Sequence, residues 1–228
     1  RPDMLARIAQ AGFPRQMSEK DQRMHRWEAG PEGAAIAMWI DASVGAILDR
    51  LDRHGLTRDT LVVYSSDNGH HPGKFTAYEE GSHLPLVIRW PAGLPGGAAS
   101  PALASTVDIA PTIYAACGVV PPTVANLDGV DLLPALRGEA PGQPTVYLEN
   151  ACTRAVVDAD GWKYLAVRVP PELQAQVPTG NRLTQWGQVM DGKQLTFSAA
   201  KAYPPYFETA QLSQVDRAPA ERANLVSA

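Results

Sequence analysis

Leu61-Val62-Val63-Tyr64-Ser65-Ser66-Asp67-Asn68-Gly69-His70-His71-Pro72-Gly73-Lys74 is the stretch on which the reading of this sequence turns. Its first five residues form a short apolar run, the pattern of a strand buried on both faces. The run stops in a polar turn that holds the densest group of reactive side chains in the chain. In open α/β sheets, the loops beyond strand C-termini are where ligands bind. Asp67 and Asn68 offer adjacent hard oxygens, one charged and one neutral, suited to Ca²⁺ or Mg²⁺. His70, His71 and Lys74 add cationic donors within a few residues, and a metal beside fixed cations can hold an oxyanion and stabilise charge developing on it. Taken alone, however, Asp-Asn-Gly after a strand is also an ordinary turn, and neighbouring His and Lys side chains on a loop are often simply solvated. At this level both readings stand.

Upstream, Ile36, Ile40, Val44, Ile47, Leu48 and Leu51 recur at helical spacing with Asp41, Asp49, Arg50, Asp52 and Arg53 between them. Gly55 stands where a helix C-cap belongs. This is the pattern of an amphipathic helix packed on a core. Residues 1–30 are charged and weakly periodic, and read as loop with one short helix.

Downstream, Leu84-Pro85-Leu86-Val87-Ile88-Arg89-Trp90 reads as a second strand, stopped by Pro91. Asp108 caps a further helix with Pro111 in its first turn, ending at Cys117 and Gly118. Helix, strand, strand, helix predicts an α/β fold: part of a mainly parallel mixed sheet flanked by helices. After residue 142 the character changes. Val146–Glu149, Thr153–Val157 and Trp162–Val167 are short strand-like runs separated by turns such as Asp158-Ala159-Asp160-Gly161, which favour antiparallel hairpins. A boundary in the Gly138–Pro144 linker is therefore expected. It would divide an α/β part, 1–142, from a small C-terminal α+β subdomain with a short antiparallel sheet, 143–228.

The totals set limits. With 228 residues the chain suits one large domain, or one domain and a small appendage. A net charge of −4 and a pI near 5.7 argue against a general binder of nucleic acid or anionic membranes. No apolar stretch is long enough to span a membrane. Cys117 and Cys152 lack metal-ligand spacing and read as free, buried thiols. The chain opens at Arg1, and no export signal is visible.

Several motifs follow one another in a specific order. They are Ile40-Asp41-Ala42-Ser43-Val44-Gly45, Asp59-Thr60-Leu61-Val62-Val63, Ser66-Asp67-Asn68-Gly69, Lys74-Phe75-Thr76-Ala77-Tyr78-Glu79-Glu80-Gly81, Leu84–Pro91 and Val107-Asp108-Ile109-Ala110-Pro111-Thr112. Together they resemble the sulfatase family of the alkaline-phosphatase-like superfamily, nearest to the branch acting on sulfated carbohydrates, and correspond to its C-terminal portion. Trp162-Lys163-Tyr164 and the segment from Ala218 to Leu225 resemble the family's closing part more weakly.

The resemblance implies a set of roles. Asp67 and Asn68 match the pair completing a divalent metal site, usually Ca²⁺, with Mg²⁺ or Mn²⁺ as other occupants. Lys74 matches the lysine that grips the substrate sulfate and compensates charge on it. His70 and His71 fall where a histidine contacts substrate, and His71 is the candidate for protonating the leaving group. Glu79 and Glu80 match a structural carboxylate position. The family's nucleophile, a formylglycine made in a Cys/Ser-x-Pro/Ala-x-Arg motif, has no counterpart here: neither Cys117 nor Cys152 sits in such a motif. The nucleophile and the first metal aspartates are expected on an upstream half of the catalytic domain. Asp67 and Lys74 are only seven positions apart, a shorter loop than the family usually has. The implied activity is hydrolysis of sulfate esters on a carbohydrate or similar small molecule, in a periplasmic or secreted protein. The alternatives are a phosphomonoester or phosphonate hydrolase of the same superfamily, and a non-catalytic binder of anions or carbohydrate.

Overall fold

The structure is a computed structural model and describes residues 31–70, 72–122, 126–191, 198–215 and 221–227. Residues 1–30, read above as loop with one short helix, lie outside them. The chain divides into two compact units, Arg1–Thr60 with Trp90–Ala92, and Leu61–Arg89 with Gly93–Ala228.

In the first unit the expected helix is present as α1, Pro31–Arg53. Its end follows from the sequence. Gly55 takes φ +67°, and Leu56 N–H then donates back to Leu51 O at 2.9 Å, closing the last turn with Arg50 and Arg53 beside the exposed carbonyls. Among the described residues its apolar stripe is only partly covered: Val44, Leu48 and Leu51 are half-buried. Trp39, Ile40 and Ile47 are all exposed, because no other helix or strand among the described residues of this unit can cover them.

The second unit begins with β1, Val62–Ser65, followed by the one-turn helix α2, Glu79–Ser82, and β2, Leu86–Arg89. A mainly parallel sheet was expected here, but β1 and β2 pair antiparallel, with Val62 opposite Arg89 and Ser65 opposite Leu86. The cause is the connection. A parallel return needs a crossover that carries the chain back along the sheet. Here the two arms of the loop are hydrogen-bonded to each other, Gly69 N–H to Gly81 O at 3.0 Å and His70 N–H to Glu80 O at 2.6 Å. The chain therefore re-enters the sheet at the end it left.

A 3₁₀ turn at Thr106–Asp108 leads into α3, Ile109–Ala116, and Leu133–Leu136 forms the short α4. Asp108 has no exposed surface and organises this region, although not by capping α3 directly. Its carboxylate accepts from Ser105 N–H at 2.6 Å, Val130 N–H at 2.9 Å and Gln143 Nε2 at 2.7 Å. Three donors on a buried charge satisfy it and tie distant segments together.

The antiparallel C-terminal sheet is formed as expected. Strands β3 (Thr145–Asn150), β4 (Thr153–Asp158) and β5 (Trp162–Val167) form successive hairpins. After α5 (Pro171–Gln174), β6 (Asn181–Leu183) and β7 (Val189–Asp191) make a separate hairpin, and α6 spans Ser198–Ala202. A 3₁₀ turn at Pro204–Phe207 precedes β8 (Ala210–Gln214), which completes the sheet beside β5; Leu225–Ser227 is a last 3₁₀ turn. Alternation decides the faces: Ala155, Leu165 and Gln211 point inward, whereas Trp162 and Tyr164 point out. The inner face packs with Ala77, Tyr78, Ala199, Tyr203 and Tyr206 into one core. Tyr203–Phe207 packs against this sheet, with Tyr203 and Tyr206 buried. Both cysteines are free; Cys152 is buried but Cys117 is exposed, correcting the expectation of two buried thiols. No helix among the described residues is long and apolar enough to cross a membrane.

Candidate functional site

The loop between β1 and β2 holds its shape because three glycines let backbone meet backbone. A Cβ on Gly81 would lie 2.0 Å from Gly73 O and 2.7 Å from Thr76 O; one on Gly69 would lie 2.1 Å from Glu80 O. No larger residue fits at either place without moving the main chain. Thr76 closes the turn at Gly73, donating from Oγ1 to its carbonyl at 2.6 Å.

This framework carries the sequence-derived residues. Ser66 Oγ donates to Asn68 O at 2.8 Å, fixing the turn directly after β1. Asp67 lies exposed on that turn beside the half-buried Asn68, His70 is exposed on the next step, and Lys74 is half-buried further along. Lys74 Nζ stands 5.3 Å from the centre of the Phe75 ring. Asp67, Asn68, His70 and Lys74 thus share one clamped loop; His71, the candidate proton donor, lies outside the described residues. In kind, the Asp67 and Asn68 oxygens fit a hard cation, which takes oxygen ligands. In number they do not fill its shell: among the described residues no three His, Cys, Asp or Glu side chains converge on a metal position.

Sequence reasoning missed what anchors this loop. Lys163, on the inner face of β5, has no exposed side-chain surface and contacts Glu79 Oε1 and Glu221 Oε1, each at 2.9 Å. Glu221 Oε2 also accepts from Glu79 N–H at 2.5 Å. Burial pushes the Glu221 carboxyl above its usual range, and the Lys163 ammonium opposes that shift. Of the two carboxylates expected to be structural, Glu79 has that role.

Next to this cluster, Tyr78 is stacked on Tyr203 with ring centres 4.0 Å apart. Its hydroxyl donates to Gln211 Oε1 at 2.8 Å and accepts from Gln185 Nε2 at 3.1 Å. Gln211 Nε2 donates on to Pro205 O at 2.9 Å. The signal for Lys163 was present in its register, two residues from the inward Leu165. The signal for Gln185, Gln211 and Glu221 was not, because no pattern in sequence separates these polar residues from others on loops and strands.

The sequence model of the sulfatase family matches residues 22–119, a segment that contains α1, β1, the clamped loop and α3. Mouse N-acetylgalactosamine-6-sulfatase is 34% identical over 133 residues, covering 51% of this chain and 26% of that protein. Mouse steryl-sulfatase is 32% identical over 142 residues, covering 54% of this chain and 23% of the relative.

Residues 22–119 match the sulfatase family. The aligned part spans only about a quarter of the length of these curated relatives. The sulfatase fold reaches beyond the matched segment. A Bacteroides thetaiotaomicron structure, described with a locus for metabolism of multiple glycosaminoglycans, superimposes with a TM-score of 0.61 at 24% identity. That overlay takes in 90% of this chain and 43% of the other. Lys163, Gln185, Gln211 and Glu221, which secure the clamped loop, all lie beyond the residues matched by the family model.

Proposed function

We propose that the protein to which this chain belongs hydrolyses sulfate esters, on a sulfated carbohydrate or similar small molecule. The observation that carries this reading is one loop, inside the family-matched segment, that presents Asp67, Asn68 and Lys74 from a hydrogen-bonded frame. Two relatives point to the substrate class by name, one a sulfatase of N-acetylgalactosamine 6-sulfate type and one a steryl-sulfatase; the carbohydrate is the reading preferred here.

Asp67 and Asn68 would supply part of a divalent cation's oxygen shell, Ca²⁺ in the first instance and Mg²⁺ or Mn²⁺ as substitutes. Bound there, such a cation would polarise a sulfate and favour the ionised form of an attacking hydroxyl. Lys74 places a fixed positive charge against the sulfate oxygens, where negative charge accumulates as the ester bond breaks. His70 and His71 are the substrate-contacting histidines, with His71 supplying a proton to the departing alcohol. A formylglycine nucleophile is expected in the parent enzyme but its motif is absent from these 228 residues, so the chain by itself is expected to be inactive. The protein is expected to be periplasmic or secreted.

The test is Asp67→Ala in the complete protein, assayed for calcium binding by calorimetry and for release of sulfate. Both should be lost. Undiminished turnover overturns the assignment, and preference for an aryl phosphate over the matched aryl sulfate replaces it with phosphoester hydrolysis.

A further inference from the structure

Two aromatic side chains beside Lys74 have no part in the chemistry above. Phe75 and Trp186 are 44% and 40% exposed, yet their rings meet with centres 5.4 Å apart at an angle of 49°. What sets this pair apart from the other exposed rings, such as Trp39 and Tyr147, is the contact between the two rings and the cation beside them.

Each ring is held from beneath. Phe75 sits at φ +65°, a left-handed conformation that a bulky residue adopts only where its surroundings impose it. The surroundings are the Thr76–Gly73 turn on one side and the buried run Thr76, Ala77 and Tyr78 on the other. Trp186 stands in the turn between β6 and β7, which is closed by Gly187 N–H to Thr184 O at 2.9 Å and Thr184 N–H to Gln188 O at 2.9 Å. Its neighbour Gln185 is buried and bonds from Nε2 to both Tyr78 Oη, at 3.1 Å, and Tyr206 O, at 2.9 Å. The same tyrosine, Tyr78, therefore supports the loop of Phe75 and the turn of Trp186. The pair is placed by the buried network and by more than its own contact.

The cation completes the pattern. Lys74 Nζ lies 5.3 Å from the centre of the Phe75 ring, so a positive charge borders the aromatic surface. A ligand that answers both features has an anionic group and, next to it, a flat face of C–H bonds. A sulfated pyranose has that composition: its ring face stacks on aromatic carbon while its sulfate meets the ammonium.

We propose that Phe75 and Trp186 form an aromatic wall that receives the sugar ring of a sulfated pyranose, with Lys74 at its edge taking the sulfate. The proposal rests on the sulfatase reading for the anion but not for the wall itself. It makes these two residues determinants of substrate specificity, and it makes the β6–β7 hairpin a contributor to substrate binding.

The experiment measures, on the complete protein, affinities for N-acetylgalactosamine 6-sulfate and for inorganic sulfate by calorimetry. The ratio of the two isolates what the sugar ring adds. In Trp186→Ala and in Phe75→Ala the ratio should fall about tenfold, while Trp186→Tyr should keep most of it. Circular dichroism verifies folding, and the Trp186 turn, being on the surface, gives a second variant if Phe75→Ala does not fold. An unchanged ratio in folded Trp186→Ala overturns the wall, as does a wild-type protein that binds the sugar sulfate no tighter than sulfate. A wild-type protein without turnover whose ratio still drops in the variants removes the sulfatase reading and supports the wall.

Discussion

Lys163 Nζ lies 2.9 Å from Glu79 Oε1, with the lysine side chain fully enclosed. This contact joins the C-terminal sheet to the loop that presents Lys74. Glu221 completes the cluster from the far end of the chain. An ammonium buried against two carboxylates is sensitive to the loss of any one member, because the others remain in a low-dielectric site without a partner.

Lys163→Met should therefore lower stability by about 3–5 kcal/mol, read from denaturant unfolding. Replacing all three members, Glu79→Leu, Lys163→Met and Glu221→Leu together, should recover most of that loss, since well-packed apolar side chains often substitute for a buried ion group. A triple variant weaker than Lys163→Met would show that the charges contribute a net stabilisation.

Gly81→Ala tests the clamped loop. The added Cβ meets Gly73 O at 2.0 Å, and the obstacle is main chain, not a flexible side chain. A loss of about 1–3 kcal/mol is expected, together with weaker anion binding as Lys74 is displaced. Gly45→Ala in the interior of α1 should act in the opposite direction, raising stability by about 0.5–1 kcal/mol, since nothing lies within 4 Å of its Cβ. Thermal melts of the two variants against wild type provide the comparison.

Asp108→Ala removes the acceptor of three hydrogen bonds at a site with no exposed surface. The three donors, on Ser105, Val130 and Gln143, are then left in a space too enclosed for easy rehydration. Destabilisation of about 2–4 kcal/mol is expected. Amide exchange at Val130 should quicken first, which hydrogen-exchange mass spectrometry can resolve.

Alkaline pH should weaken the C-terminal core. Burial raises the hydroxyls of Tyr78, Tyr203 and Tyr206 above their ordinary value, Tyr206 to about 12, and the Glu80 carboxylate adds to the effect at Tyr203. A group whose folded value is raised stabilises fully below its unfolded value, near 10 for tyrosine, and that stability is lost as pH climbs toward the folded value. The thermal midpoint should thus fall steeply above about pH 10, in step with the appearance of tyrosinate absorbance. Tyr206→Phe should flatten the slope. A midpoint independent of pH in that range would contradict the burial of these hydroxyls.

Sequence alone determined a good deal about this protein. The helical period from Ile36 to Leu51 and the glycine at 55 located α1 and its end, because both depend on local geometry. Alternation and Asp-Gly turns located β3, β4 and β5 and their antiparallel pairing for the same reason. The ordered motifs around Asp67 and Lys74 pointed to the family, since motif order is itself a property of sequence. Other features were decided only by tertiary structure. Strand direction at β1 and β2 depends on where the loop's two arms meet, and three glycines set that meeting point across up to eleven intervening positions. The burial of Lys163 and its pairing with Glu79 and Glu221 join residues that neither period nor spacing connects. So do the Tyr78 bonds to Gln185 and Gln211, and the meeting of Phe75 with Trp186. A short pattern records what the chain does within a few residues; which distant side chains satisfy one another is settled when the core closes.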